Sequence, residues 1–194
     1  MISAQDSHHY SIGRKAIQTF SMSVFLFFST FFWYASVPAA PSNEYAVKAA
    51  FVMNFAMLTE WPEAAFSNPT ADISLCVVGG NTLPQPFQSI EGKTIGTRLL
   101  HVVAVDSQTT LPECHIIFYK KEVDTADLVR TLSAAYGKPV LTVGEKENAT
   151  ALGGAIHFYT ENGKLRFAIT PDVIAKQGLK LSSRLLQVAT LIDK

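Results

Sequence analysis

Four short runs of this chain are apolar at nearly every position: residues 73–78 (ISLCVV), 99–105 (LLHVVAV), 116–119 (IIFY) and 140–143 (VLTV). A strand with one wet face alternates apolar and polar residues, so unbroken runs of this length imply strands covered on both faces. Between the third and fourth runs, Asp124 or Thr125 can cap a helix reaching Tyr136. Ala126, Val129, Leu132 and Ala135 mark its inward side, and Gly137 lies past its end. Strands that alternate with helices predict an α/β fold, here a single-domain α/β/α sandwich with a mixed sheet.

The flanking segments complete that pattern. Val47, Ala50, Phe51, Asn54, Phe55 and Leu58 recur at three and four from residue 43 to 61, predicting an amphipathic helix capped by Ser42 or Asn43 and stopped by Pro62. Residues 67–72 (SNPTAD) read as a loop, and the prolines of residues 83–90 allow at most a short helix. Asn162-Gly163, between apolar runs at 155–159 and 165–169, predicts an antiparallel hairpin in the C-terminal half. A closing helix is expected from Ser182 or Ser183 through Leu185, Leu186, Ala189 and Ile192.

The first 39 residues differ from the rest. They hold three charges, Asp6, Arg14 and Lys15, followed by an apolar run at 22–37 (MSVFLFFSTFFWYASV) and then Pro38 and Ala39. Charged, apolar and small residues in that order are the pattern of a secretory signal peptide, with cleavage expected after Ala39. An uncleaved anchor is the competing reading, since residues 16–37 approach bilayer length, but Gln18, Thr19, Ser21, Ser23, Ser29 and Thr30 dilute them. The expected division is therefore a signal peptide over 1–39 and one exported domain over 40–194.

Losing Asp6, Arg14 and Lys15 takes the formal net charge from zero to −1, which leaves no basic footprint for nucleic acid. In an exported protein the two cysteines, Cys76 and Cys114, read as a disulfide; two buried thiols are the alternative.

The chemical motifs are weak. Gly92-Lys93-Thr94 ends like a phosphate-binding loop, but Phe87 stands where that loop needs its first glycine. Gly79-Gly80 follows a strand, yet it lacks the spaced glycines of a dinucleotide site and reads as a tight turn. His101, His115 and His157 sit singly in or beside apolar strands, so core or edge histidines are expected and a metal is not. No G-x-S-x-G elbow occurs. Glu60 and Glu63 read as a solvated helix end, and the Asn148-Ala149-Thr150 glycosylation pattern as chance. No catalytic residue, cofactor or metal site is expected.

Residues 45–51 (YAVKAAF) with Asn54-Phe55-Ala56, Glu60-Trp61-Pro62, Cys76-Val77-Val78-Gly79 and Gly92-Lys93-Thr94-Ile95 resemble the periplasmic YfiR-like repressors of YfiBNR-type signalling systems. So do 114–118 (CHIIF), 140–144 (VLTVG), Gly153-Gly154-Ala155-Ile156, 163–169 (GKLRFAI) and 178–183 (GLKLSS) with Leu185-Leu186. The resemblance implies a periplasmic, non-catalytic protein that binds the periplasmic domain of a YfiN-like membrane diguanylate cyclase and holds it inactive. Cyclic-di-GMP, biofilm and exopolysaccharide output would fall as a result. It implies a YfiB-like outer-membrane lipoprotein that sequesters the repressor, and it maps the family's paired cysteines onto Cys76 and Cys114. Some members carry a second cysteine pair near residues 145–152, where this chain has EKENATAL, and Thr170 stands where Asn is expected. The alternative reading is a small-ligand sensing protein serving another membrane receptor.

A protein that silences a receptor by contact needs apolar anchors at its surface. Trp61 and Pro62 leave a helix end, Phe66 follows in a loop, and Leu179 and Leu181 precede the last helix; these five are the expected partner-binding residues. Plugging the ends of the sandwich is the competing role for all of them. An exposed apolar patch of this kind also favours a homodimer.

Overall fold

The computed structural model describes residues 41–192, so the expected leader lies outside the described residues. The chain runs α1 (Pro41–Met57), β1 (Thr59–Glu60), a 3₁₀ turn (Glu63–Ala65), β2 (Ile73–Val78), α2 (Gln85–Gln88), β3 (Thr94–Ile95), β4 (Arg98–Val105) and β5 (Ile116–Tyr119). It continues through α3 (Thr125–Ala135), β6 (Leu141–Gly144), a 3₁₀ turn (Glu147–Ala149), β7 (Ile156–Glu161), β8 (Lys164–Ile169), α4 (Pro171–Lys176), β9 (Lys180–Leu181), α5 (Ser183–Val188) and β10 (Thr190–Leu191). Among the described residues no helix is long and apolar enough to cross a membrane.

Eight strands form one mixed sheet in the order β10-β8-β7-β6-β5-β2-β4-β3, while β1 pairs with β9 apart from it. Strands β4, β2, β5, β6 and β7 run parallel, and β7 turns back into β8 as the expected hairpin. Its turn residues Asn162 and Gly163 both have positive φ, 51° and 71°, as a two-residue turn matched to strand twist requires.

Alternation along the strands divides two cores between the faces of the sheet. Leu75 and Val77 of β2 pack with Val52 and Phe55 of α1 and Phe87 of α2. Cys76 and Val78 face the other way, toward Leu128, Leu132 and Ala135 of α3. Phe51 and Phe55 lie against Phe158 and Phe167 of the hairpin, with ring centroids 4.9–5.8 Å apart. The sheet is thus covered on both faces, and the chain is a single-domain α/β fold.

Both long helices are rotated from the faces expected of them. In α1 the buried residues are Lys48, Ala49, Val52, Phe55 and Ala56, whereas Val47, Ala50 and Asn54 are exposed. That helix carries small or apolar residues on every side, so spacing alone does not select the inward face. It also stops at Met57, because Thr59-Glu60 is drawn into extended pairing with β9 and the Thr59 hydroxyl donates to Phe55 O at 2.7 Å. In α3 the inward set is Leu128, Thr131, Leu132 and Ala135, while Ala126 and Val129 face solvent. The wider Leu128–Leu132–Ala135 stripe wins over the residues spaced by threes. Asp124 caps α3 as expected, accepting from Asp127 N at 2.8 Å.

The C-terminal segment departs furthest. Helix α5 ends at Val188, and Thr190-Leu191 pairs in parallel with Ala168-Ile169, so Ala189 and Ile192 are not helical. Helix α4 goes beyond the sequence reading; Pro171 begins it, and Val173 and Ile174 bury its inner side.

Two packing details fix neighbouring loops. The fully buried Tyr119 ring lies directly on Gly144, where a Cβ would sit within 2 Å of ring carbons. On the other core, Lys48 of α1 reaches the Glu145 carboxylate just past β6, and Glu145 Oε2 accepts the Lys121 N–H at 3.0 Å.

Candidate functional site

The pairing of β1 with β9 places Thr59 opposite Leu181 and Glu60 opposite Lys180, and Ser182 N donates to Leu58 O at 2.8 Å. Trp61-Pro62 and Leu181, distant in sequence, therefore share one end of the fold. Leu179 turns inward and is 4% exposed, so it belongs to the core and not to the surface. Leu181 is half-buried, as are Trp61 and Phe66, while Pro62 is exposed.

From Pro62 the chain makes a tight turn, with Ala65 N donating to Pro62 O at 2.9 Å and Phe66 N to Glu63 O at 3.1 Å. Long-range bonds hold that turn against the sheet. The Trp61 indole N–H donates to the His115 carbonyl at 3.3 Å. The Phe66 ring stacks on the His115 imidazole, with centroids 4.6 Å apart and planes 18° from parallel. The Arg98 guanidinium lies 3.5 Å from the Phe66 ring centroid, an arrangement in which the cation meets the negative ring face. Arg98 Nη1 also donates to Ala71 O, tying down the far end of the loop.

His115 is the centre of this arrangement. Its Nδ1 accepts the Ser74 N–H at 3.0 Å, which leaves the proton on Nε2, and that N–H donates to Ala65 O at 3.0 Å. Burial, joined by the nearby Arg98 charge, holds its pKa below the ordinary histidine value. The neutral ring thereby bridges β2, β5 and the aromatic turn.

Beside these residues a groove of about 620 Å³ runs between the aromatic turn, residues 110–115 and the end of α3. Phe66, His115, Cys114, Leu111 and Pro139 are among its walls. The Cys114 wall is fixed covalently, because Cys76 of β2 and Cys114 form a disulfide with Cα atoms 5.9 Å apart. The site thus combines a rigid aromatic turn with an adjoining groove, a shape suited to holding a segment of another molecule.

Sequence reading found the aromatics, since Trp61 and Phe66 fall outside the helical period. It missed Arg98 and His115, whose approach depends on β2 lying between β4 and β5. The other motifs are structural. Gly79 and Gly80 have φ of +120° and +132°, and the side chains of Lys120 and Val123 lie about 3 Å from where a Gly79 Cβ would be. That turn stands at the carboxyl ends of β2 and β5, where the strand order reverses and α/β sheets commonly bind ligands. Here the Lys120 and Val123 side chains pack against it. His101 is exposed and meets Glu91 at 3.0 Å, and Glu60 and Glu63 are exposed.

No curated protein gives a significant match to the chain. The YfiR/HmsC-like family matches it over residues 45–190, from the second turn of α1 to the first residue of β10. That span takes in both cores, the disulfide and the aromatic turn, and the chain therefore belongs to the YfiR/HmsC-like family, which points to a periplasmic regulator in cyclic-di-GMP signalling.

Proposed function

We propose that this protein is exported by a signal peptide cleaved after Ala39 and acts without catalysis. It binds the periplasmic domain of a YfiN-like membrane diguanylate cyclase and holds the enzyme inactive. A YfiB-like outer-membrane lipoprotein would relieve that repression by sequestering it. The contact surface is the turn bearing Trp61, Pro62 and Phe66, together with Leu181 and the adjoining groove.

The observation that carries this reading is the Phe66–His115 stack at 4.6 Å with Arg98 against the same ring. Half-exposed aromatics fixed before binding lose little side-chain freedom when a partner arrives, which is how a small patch supplies most of an interface's energy. A surface of this kind also suits self-association, and a homodimer through it would compete with the cyclase.

Deletion of the gene should raise cyclic-di-GMP, and a strain carrying Pro62→Asp with Leu181→Asp should do so with the protein still folded and abundant. Unchanged cyclic-di-GMP in the deletion strain would sink the repressor role. A raised level on deletion, with full repression by the double variant, would reject only the surface.

A further inference from the structure

Resting on the docking reading and adding its regulation, we propose that His115 is a proton-operated latch on the aromatic turn. Neutral, it holds Trp61, Pro62 and Phe66 in the docking arrangement; protonated, it lets them go. Both ring nitrogens are already engaged with backbone, Nδ1 accepting from Ser74 N–H and Nε2–H donating to Ala65 O, each at 3.0 Å. A backbone N–H can only donate, so a second ring proton on Nδ1 sets two donors against each other.

One side must then yield, and the bonding decides which. Ser74 lies in β2 between β4 and β5, with its register fixed opposite His101 and its carbonyl accepting the His115 N–H at 2.9 Å. It cannot withdraw without breaking the sheet. The turn has no such ladder. It meets the sheet through the Trp61 indole on His115 O at 3.3 Å, the Ala65 carbonyl on Nε2 and the Phe66 ring on the imidazole. All three run through residue 115. The remaining hold is Arg98 against Phe66, and a charged His115 would put a second cation on that same ring. The imidazolium therefore turns away from Ser74, and the stack that fixes Phe66 goes with it.

The charges around the ring set where the latch acts. Arg98 of β4 disfavours the proton, and Glu113, two residues before His115, favours it. Glu63 of the turn and Lys138 across the groove are exposed, and β2 brings no charged residue. Burial is the largest influence and keeps the closed ring below the ordinary value of about 6.5, to which a ring released into water returns. Between those two values each unit of acidification favours the released turn by about tenfold.

Trp61 reports on the latch, because Trp33 falls in the expected leader and Trp61 is the tryptophan left in the exported protein. Acrylamide quenching of Trp61 and the imidazole chemical shifts of His115 are followed from about pH 7.5 to about pH 4.5. Quenching should rise with the midpoint of the His115 ring while the far-ultraviolet circular dichroism stays constant. His115→Asn keeps an acceptor for the Ser74 N–H but takes up no proton, and its quenching should stay flat. Glu113→Gln, a change at an exposed position, should lower both midpoints together. A Trp61 signal that ignores protonation of the ring, midpoints that part in Glu113→Gln, an undiminished response in His115→Asn, or loss of circular dichroism along with the turn would overturn the latch. Affinity for the membrane-embedded cyclase should fall by about tenfold for each unit of pH below the midpoint, and should hold in His115→Asn. Binding that ignores pH while the turn opens would overturn the latch's control of docking. Absent binding at every pH would reject the docking reading instead, with the latch still decided by Trp61.

Discussion

Lys48 Nζ lies 2.8 Å from Glu145 Oε1, and both side chains are almost wholly buried. The pair joins the middle of α1 to the loop leaving β6. Burial alone would lower the Lys48 pKa, but hydrogen bonds and charge from Glu145 and Glu44 outweigh it and hold the ammonium above the ordinary lysine value.

Lys48→Met leaves the buried Glu145 without a counter-charge and should cost about 3–5 kcal/mol in denaturant unfolding, whereas Glu145→Leu leaves Lys48 still paired with Glu44 and should cost less. Lys48→Met combined with Glu145→Leu should recover most of that loss, because a packed apolar pair carries no desolvation penalty. Since the folded Lys48 pKa is raised, its contribution is complete below the unfolded value of about 10.4 and disappears as pH rises through the folded one.

His115 gives the opposite dependence. Its pKa is lowered in the folded state, so the unfolded chain binds more protons as pH falls. The stabilising contribution is complete above about pH 6.5 and declines with acidification toward the folded pKa. Protonation of Nδ1 would remove the acceptor that the Ser74 N–H now uses. Melting temperatures between about pH 7.5 and about pH 5.5 should fall, and should fall less in His115→Asn, although that variant starts lower.

The Cys76–Cys114 bridge closes a loop across 38 positions. In the chain-entropy account such a closure contributes about 3–4 kcal/mol. Thiol titration of the native protein without reductant should find no reactive cysteine, and Cys76→Ala with Cys114→Ala should lower unfolding free energy by about that amount.

Gly144→Ala should be among the most damaging single-methyl additions in the protein. The Tyr119 ring occupies the space, and Tyr119 is fully buried, so relief requires moving the core or the β5–β6 register. A loss of about 1–3 kcal/mol or more is expected in thermal melts, with Tyr119→Leu partly restoring the Gly144→Ala protein.

What the sequence disclosed follows from how far each signal reaches. The strands at 73–78 and 116–119 were legible to the residue because sheet burial on both faces leaves one polar position, Ser74, too few to blur them. The inward face of α1 was not, since Ala49 and Val52 compete with Val47 and Ala50 and only the aromatic sheet beneath decides between them. Strands of two residues, as in β1, β9 and β10, hold a single period of the strand alternation and so show no repeat to read. Helix α4 did leave a trace, a proline at its first position followed by Val173 and Ile174. At the candidate site the aromatics announced themselves, but Arg98 and His115 meet Phe66 only after β2 has inserted between β4 and β5.

The β1–β9 clasp joins a strand near the start of the described domain to one near its end. Pairing between segments so far apart in sequence closes a long loop, whose entropy is offset only when the rest of the domain holds the two ends together. The face carrying Trp61 and Leu181 therefore takes one half from each end of the domain and exists only when both have been synthesised and brought together. A chain cut short before residue 180 would lack β9 and Leu181, and so half of that face, along with the buried Leu185 that packs into the core beneath α1.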